Sequence, residues 1–253
     1  METKVSWKLC GVSDAESQAF SSFSKTWNQA GTVLDGNWMS NLMILSVESR
    51  HYYIKRYESR GRFLRHFIGR SRVRAEWENA QLFEHFGIPT ARLVAYGEET
   101  RLVGARQGII VTEGVAGATD LLKLLKQENS CFKRRAWVEN LIDRLSTHVG
   151  IMHEHGFVHT DLKWRNILAS CEDDTEVYII DCPAGRQLRG WQLAPLRRRG
   201  VIKDLACLDM IAEGALTRTQ RLKFYLRYAG LNRLDSAHKK KIGRILSFFE
   251  GRR

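Results

Sequence analysis

The run His159-Thr160-Asp161-Leu162-Lys163-Trp164-Arg165-Asn166 constrains this chain more than any other stretch. It follows a long amphipathic segment, Phe132–His153, and precedes a short apolar one, Ile167–Leu168. Asp181 lies 20 residues after Asp161, at the end of a second apolar run, Val177–Ile180. Phosphoryl transfer needs a carboxylate to orient the attacking hydroxyl, a cation to balance the γ-phosphate and two further oxygen ligands for Mg2+. Asp161 and Lys163 supply the first two parts as catalytic residues, and Asn166 and Asp181 supply the metal ligands. Four role-bearing residues at these intervals are far more specific than any single motif.

Other readings of the same region are weaker. His148, His153, His155 and His159 could be taken for a metal site. However, His153 and His155 at i,i+2 cannot share a helix face, and no Cys or Glu stands at a metal-binding interval from them. His159 is expected to brace the loop instead. The five cysteines are odd in number and form no C-x-x-C pair, so neither a disulfide framework nor a structural zinc is expected, and a reducing cytosol fits. The first 20 residues lack a basic-then-apolar signal pattern. The longest apolar runs, such as Leu42–Leu45, fall far short of the roughly 20 residues a membrane span needs.

Charge adds a second constraint. The net charge is +12, and it is unevenly placed. Residues 1–185 balance at 23 Lys/Arg and 23 Asp/Glu, whereas residues 186–253 hold 17 against 5, a difference equal to the whole excess. Such asymmetry points to an anionic partner: nucleic acid, anionic lipid or a phosphorylated substrate. A nucleic-acid-binding module would explain the charge equally well. It would not explain the intact Asp161/Lys163/Asn166/Asp181 set, so an enzyme is expected and a nucleic-acid partner is not. Arg56–Arg74 is a second concentration, with seven Arg against Glu58. With Phe63, Leu64, Phe67 and Ile68 among them, it reads as an amphipathic basic helix for a membrane surface.

The pattern predicts a β-rich first half with one helix. Leu42–Val47 and His51–Arg56 read as a hairpin around Glu48-Ser49-Arg50, Arg72–Phe86 as the helix, and Leu93–Tyr96 and Gly108–Thr112 as two more strands. The second half reads as mainly helical: Thr119–Leu125, Phe132–His153, Lys203–Leu216, Thr219–Ala229 and His238–Phe249, with short strands at Ile167–Leu168 and Val177–Ile180. The fold class is therefore α+β.

The H-x-D-x-K-x-x-N loop followed by a strand-terminal Asp resembles the protein-kinase-like superfamily. That resemblance implies a bilobal fold: a β-rich, ATP-binding N-lobe over residues 1–112 and a mainly helical C-lobe over 113–253 with the catalytic loop and acceptor site. It also implies that Lys55, in the strand Tyr53-Ile54-Lys55, contacts the α- and β-phosphates. Its carboxylate partner would stand on the following helix, where Glu76 and Glu78 both qualify and Glu76 is preferred. Thr112 and Glu113 fit the link whose backbone holds adenine. Gly31 and Gly36 flank a strand-turn-strand in place of a G-x-G-x-x-G loop, where a nest of amides could cover phosphate. Thr160 replaces the usual Arg, Cys182-Pro183 replaces Phe-Gly, and no Ala-Pro-Glu follows, so neither an activation-loop phosphate, a Phe flip nor a peptide-docking half is expected.

Outside the loop, Phe63–Trp77, Gly87-Ile88-Pro89-Thr90 and Arg199–Leu205 resemble the lipopolysaccharide core kinases of Gram-negative bacteria, over roughly residues 30 to 230. That resemblance implies ATP- and Mg2+-dependent phosphorylation of a sugar hydroxyl, mostly on heptose, of the lipopolysaccharide inner core. A kinase for the octulosonic acid of the same core is its close neighbour, and other small-molecule or protein kinases of this fold are more distant ones. The implied partners are an anionic glycolipid acceptor and an anionic membrane surface. The implied location is cytoplasmic, peripheral on the inner face of the inner membrane. Asp204 matches a family Asp expected to brace the catalytic loop.

Overall fold

The computed structural model describes residues 3–36, 40–58, 70–101 and 107–251. The chain forms two compact units, Met1–Ala80 with Ala91–Ala116, and Gln81–Thr90 with Gly117–Arg253.

The first unit is built on a six-stranded antiparallel sheet. Its strands are β1 (Thr3–Leu9), β2 (Thr32–Gly36), β3 (Ser40–Val47), β4 (Arg50–Glu58), β5 (Leu93–Arg101) and β6 (Gln107–Glu113), in the order β1-β5-β6-β4-β3-β2. Two short helices, α1 (Asp14–Ala19) and α2 (Phe23–Asn28), precede β2, and α3 (Arg72–His85) follows β4. The pleat sends alternate side chains to opposite faces. Tyr52, Ile54, Ile109 and Val111 therefore pack with Phe20 and Phe23 beside α1 and α2. Tyr57 and Ile110 pack with Val73 and Trp77 of α3. Gly108 allows α3 to lie close on β6, since a Cβ there would stand 2.3 Å from Val73.

Glu16 ties α1 to the sheet from a buried position. It accepts from the Ser13 N–H in a capping box, from the Tyr52 hydroxyl at 2.7 Å and from Arg92. Burial raises the Glu16 carboxyl, but these donors and the Arg92 charge outweigh it and hold it below the usual glutamate range.

The second unit is mainly helical. It contains α4 (Leu121–Lys126), α5 (Arg135–Glu154), α6 (Ala194–Ala212), α7 (Arg218–Tyr228) and α8 (Ser236–Leu246). Five short strands thread between them: β7 (Thr119–Asp120), β8 (Phe157–Val158), β9 (Ile167–Ala169), β10 (Val177–Ile179) and β11 (Arg186–Gln187). They pair as β10-β9-β7 and β11-β8, all antiparallel. One stripe of α5, Trp137, Leu141, Leu145, Val149 and Met152, runs through the core. No helix among the described residues is long and apolar enough to cross a membrane.

Three expectations are corrected. The first half holds α1 and α2 besides α3, not one helix. Helix α6 starts at Ala194 and not at Lys203, because Pro195 sits in its first turn, where a missing N–H costs nothing. The stretch Arg56–Arg74 is not one amphipathic helix: it begins in β4 and ends in α3, and its middle, 59–69, lies outside the described residues. The Arg56 guanidinium donates to the Thr26 and Gln29 carbonyls, and Arg70 and Arg74 pair with Glu78.

Gly200 brings α6 close to β8, the strand that leads into the His159–Asn166 loop. A Cβ at Gly200 would meet the Val158 side chain at 2.8 to 3.0 Å. Ala is the better helix former by about 1 kcal/mol, yet overpacking costs about 1–3 kcal/mol. Gly200→Ala should therefore lower stability in urea unfolding. Adding Val158→Ala should make the double variant less destabilised than the two single losses combined. A Gly200→Ala protein as stable as the parent would show that α6 and β8 do not approach this closely.

Candidate active site

The His159–Asn166 loop hangs from one buried carboxylate. Asp204 has no exposed surface, and its two oxygens accept from the His159 and Thr160 N–H groups, each at 2.7 Å. His153 Nε2 lies 3.4 Å from the same side chain, and His153 Nδ1 lies 2.9 Å from the Tyr228 hydroxyl. These bonds hold Thr160 at φ 68°, a left-handed conformation that β-branched residues rarely adopt. Asp204 sits in the middle of α6, from where it reaches the loop. One turn later the Leu208 carbonyl accepts from the Trp164 indole at 3.0 Å, so α6 pins the loop at both ends. His159 braces it from the other side, with Nε2 3.2 Å from the Ile180 carbonyl. Burial drives the imidazole pKa down, so His159 is neutral and donates this bond from Nε2.

The loop presents Asp161 outward. Its oxygens meet Lys163 Nζ at 2.6 Å and the Arg165 guanidinium at 3.1 Å. Burial raises the Asp161 carboxyl, but those two cations outweigh it and hold it below the ordinary aspartate value of 3.8. The Asp161 carbonyl accepts from the Lys163 N–H at 2.8 Å and from the Asn166 side-chain amide at 2.9 Å. That second bond engages the amide nitrogen of Asn166, so its side-chain oxygen is the atom that could hold a cation.

Register brings Asn166 and Asp181 to one end of a hairpin. Ile167 pairs with Ile179 across β9 and β10, and the Ile180 N–H donates to the Asn166 carbonyl at 3.0 Å. Asp181 follows directly, at φ 56°. An amide oxygen and a carboxylate are hard donors that fit Mg2+, which takes one or two protein carboxylates and fills its shell with water and phosphate oxygens. Among the described residues no group of three His, Cys, Asp or Glu could hold a metal.

The first unit carries its own cluster. Lys55 Nζ lies 3.2 and 3.3 Å from the two Glu76 oxygens, and the Tyr57 hydroxyl donates to the same carboxylate. Of the two glutamates the sequence allowed, Glu76 meets Lys55, while Glu78 pairs with Arg70 and Arg74. Thr112 and Glu113 end β6, with Thr112 paired to Tyr53 and Leu93. The Glu113 N–H donates to the Arg92 carbonyl and the Gly114 N–H to the His51 carbonyl, so both are engaged. The Glu113 carboxylate meets Arg50 and Arg92. Gly31 and Gly36 bracket β2, which pairs with β3 through a bulge between Val33 and Asp35; residues 37–39 between the strands lie outside the described residues.

Two site residues escaped the sequence reading. Tyr57 had a signal, since it stands two residues beyond Lys55 and so on the same strand face. Arg165 had one too, at i,i+4 from Asp161.

Residues 27–224 match the lipopolysaccharide kinase (Kdo/WaaP) family. A solved structure described as WaaP in complex with acyl carrier protein is similar in fold, with a TM-score of 0.68 at 23% identity over 91% of this chain and 90% of that one. The match spans the catalytic loop, the β9–β10 hairpin, the Lys55–Glu76 pair and the Asp204 brace, and the chain belongs to the lipopolysaccharide kinase (Kdo/WaaP) family.

Proposed function

We propose that this lipopolysaccharide kinase uses ATP and Mg2+ to phosphorylate a heptose hydroxyl of the inner core, working as a peripheral protein on the cytoplasmic face of the inner membrane. The observation that carries the proposal is the convergence of Asp161, Lys163, Asn166 and Asp181 within one braced loop and hairpin. Family membership supports the coarser statement, a lipopolysaccharide-directed phosphotransferase. The octulosonic acid of the same core is the second acceptor, because the matched family also bears the Kdo name. Incubation with ATP and dephosphorylated core oligosaccharide, followed by tandem mass spectrometry, distinguishes the two sugars. Phosphate on neither would overturn the proposal.

Each residue then has a task. The Asp161 carboxylate orients the acceptor hydroxyl and takes its proton. Lys163 and Arg165 keep that carboxylate ionised, and Lys163 balances phosphoryl charge. Asn166 and Asp181 hold Mg2+, which when bound supplies Lewis-acid neutralisation of phosphate charge. Lys55, fixed by Glu76, serves the α- and β-phosphates. Adenine is left to backbone carbonyls near Thr112 and Glu113, since the Glu113 and Gly114 N–H groups are engaged.

Asp181→Ala should abolish Mg2+-dependent turnover while leaving the circular dichroism spectrum and melting temperature near wild type. Retention of more than about a tenth of the wild-type rate would remove Asp181 from the metal role.

Asp161→Asn should lower kcat by roughly 10²–10⁴, the usual worth of a positioned acid–base group, with ATP affinity little changed. The pH profile gives an independent check. A depressed pKa keeps the carboxylate ionised as pH falls, so its activity is lost only below the ordinary value of 3.8. The acid side of the kcat/KM profile should therefore be free of an Asp161 limb above about pH 5. Arg165→Gln should move that limb upward, because it removes one of the two cations. ATP affinity falling in step with turnover in Asp161→Asn would mean that the residue faces the nucleotide and not the acceptor.

A further inference from the structure

The segment between the metal-binding Asp181 and the brace Asp204 has an unusual charge pattern. Residues 182–203 contain five Arg, one Lys and no Asp or Glu. Four of the arginines, Arg186, Arg189, Arg198 and Arg199, are exposed, and among the described residues none of them pairs with a carboxylate. The fifth, Arg197, turns inward and donates to the Leu188 carbonyl at 3.3 Å.

Exposed apolar side chains stand in the middle of this basic segment. Trp191 is 81% exposed, the most exposed large hydrophobic side chain among the described residues, and Leu196 is 52% exposed. Gly190, at φ 87°, turns the chain immediately before Trp191, a conformation that other residues adopt only under strain. A single exposed leucine means little. An exposed tryptophan five residues from an exposed leucine, in one segment with four exposed arginines that pair with no carboxylate among the described residues, combines the two features that draw a protein to an anionic bilayer. The indole favours the headgroup level, and the arginines meet the negative surface potential.

The segment is also fixed to the catalytic loop. Arg186 and Gln187 pair with Val158 and Phe157 across β11 and β8, and the Leu188 N–H donates to the Gly156 carbonyl at 2.7 Å. Strand β8 runs straight into His159, so a surface that docks here carries the loop with it.

We infer that Trp191 and Leu196, with Arg186, Arg189, Arg198 and Arg199 around them, form a docking surface that seats the protein on an anionic phospholipid bilayer. The inference rests on the proposed function in one respect: it gives a purpose to the docking, which presents the catalytic loop to an acceptor anchored in the same leaflet. The surface differs from the Arg56–Arg74 stretch, where Arg56 donates to carbonyls and Arg70 and Arg74 pair with Glu78.

The test is co-sedimentation with vesicles of phosphatidylglycerol and phosphatidylethanolamine, against vesicles of phosphatidylcholine alone. The wild-type protein should bind the anionic vesicles only, and less as salt shortens the Debye length. Trp191→Ala should weaken the partition about 10-fold, as expected for an apolar side chain withdrawn from lipid. Arg198→Ala with Arg199→Ala should weaken it about 30-fold, roughly 5-fold for each charge. Brominated lipids should quench the wild-type fluorescence more than that of Trp191→Phe. Equal partition of wild type and Trp191→Ala, equal binding to neutral vesicles, or equal quenching in both proteins would each overturn the inference. ADP release by the wild type with delipidated core oligosaccharide tests the kinase reading separately. Vesicle binding that depends on Trp191 without ADP release would sink that reading alone, and ADP release without vesicle binding would sink only the docking surface.

Discussion

A carboxyl group with no exposure is costly to bury unless it is hydrogen-bonded, and Asp204 is the one on which the site depends. The oxygens of Asp204 have partners, two short backbone N–H bonds from consecutive residues of the loop. Those bonds are also what make the loop's shape tolerable. Thr160 is branched at Cβ, yet stands at φ 68°, a conformation worth of order 1–3 kcal/mol in strain. The carboxylate and the strained turn stabilise one another, and neither would persist alone. Position 204 can fulfil this role because Gly200, one turn earlier, lets α6 lie against Val158 of the strand that enters the loop.

From that anchor the remaining geometry follows in short steps. Asp161 leaves the braced turn pointing outward, and its own carbonyl organises the next five residues by accepting from Lys163 and Asn166. Asn166 begins the β9–β10 hairpin, whose register brings Asp181 back beside it. His159 ties the two arms together by donating from Nε2 to the Ile180 carbonyl, and burial pushes its pKa down, so the ring is neutral. The charged groups that remain, Asp161, Lys163 and Arg165, are paired with one another at the half-exposed rim.

The parts of this architecture that were legible in the sequence are those where chemistry fixes residue type and spacing together. The loop and Asp181 were readable because a carboxylate, a cation and two oxygen ligands must recur at set intervals. Helix α5 was readable from its apolar stripe. Strand β1 carried a readable signal, Val5, Trp7 and Leu9 in alternation, and α1 carried another, the Ser13 and Glu16 capping box. Both are short segments near the start of the chain, where a weak pattern has no neighbour to support it. The first turns of α6 were hidden for a different reason. Pro195 and Gly200 both count against a helix interior, but one stands where no N–H is needed and the other where no side chain fits. Such exceptions depend on tertiary neighbours, which local pattern does not contain. The sequence preferred Glu76 to Glu78 as the partner of Lys55, and in the folded chain Glu76 meets Lys55 while Glu78 meets Arg70 and Arg74.

Two departures from the usual kinase pattern are connected in the folded chain. Where a phenylalanine would follow the strand-terminal aspartate, Asp181, there is Cys182, which is buried and lies 3.9 Å from the His159 carbonyl. Gly185 closes over it so tightly that a Cβ would stand 2.2 Å from the sulfur and 2.7 Å from the Phe157 ring. A close-packed interior has no room for a side chain of phenylalanine's volume to swing through that space. Thr160, for its part, replaces the arginine that would receive a phosphate, and its backbone is committed to Asp204. Neither position carries the side chain that such a switch would move. The charge that stands exposed in this unit is concentrated instead on the acid-free segment around Trp191.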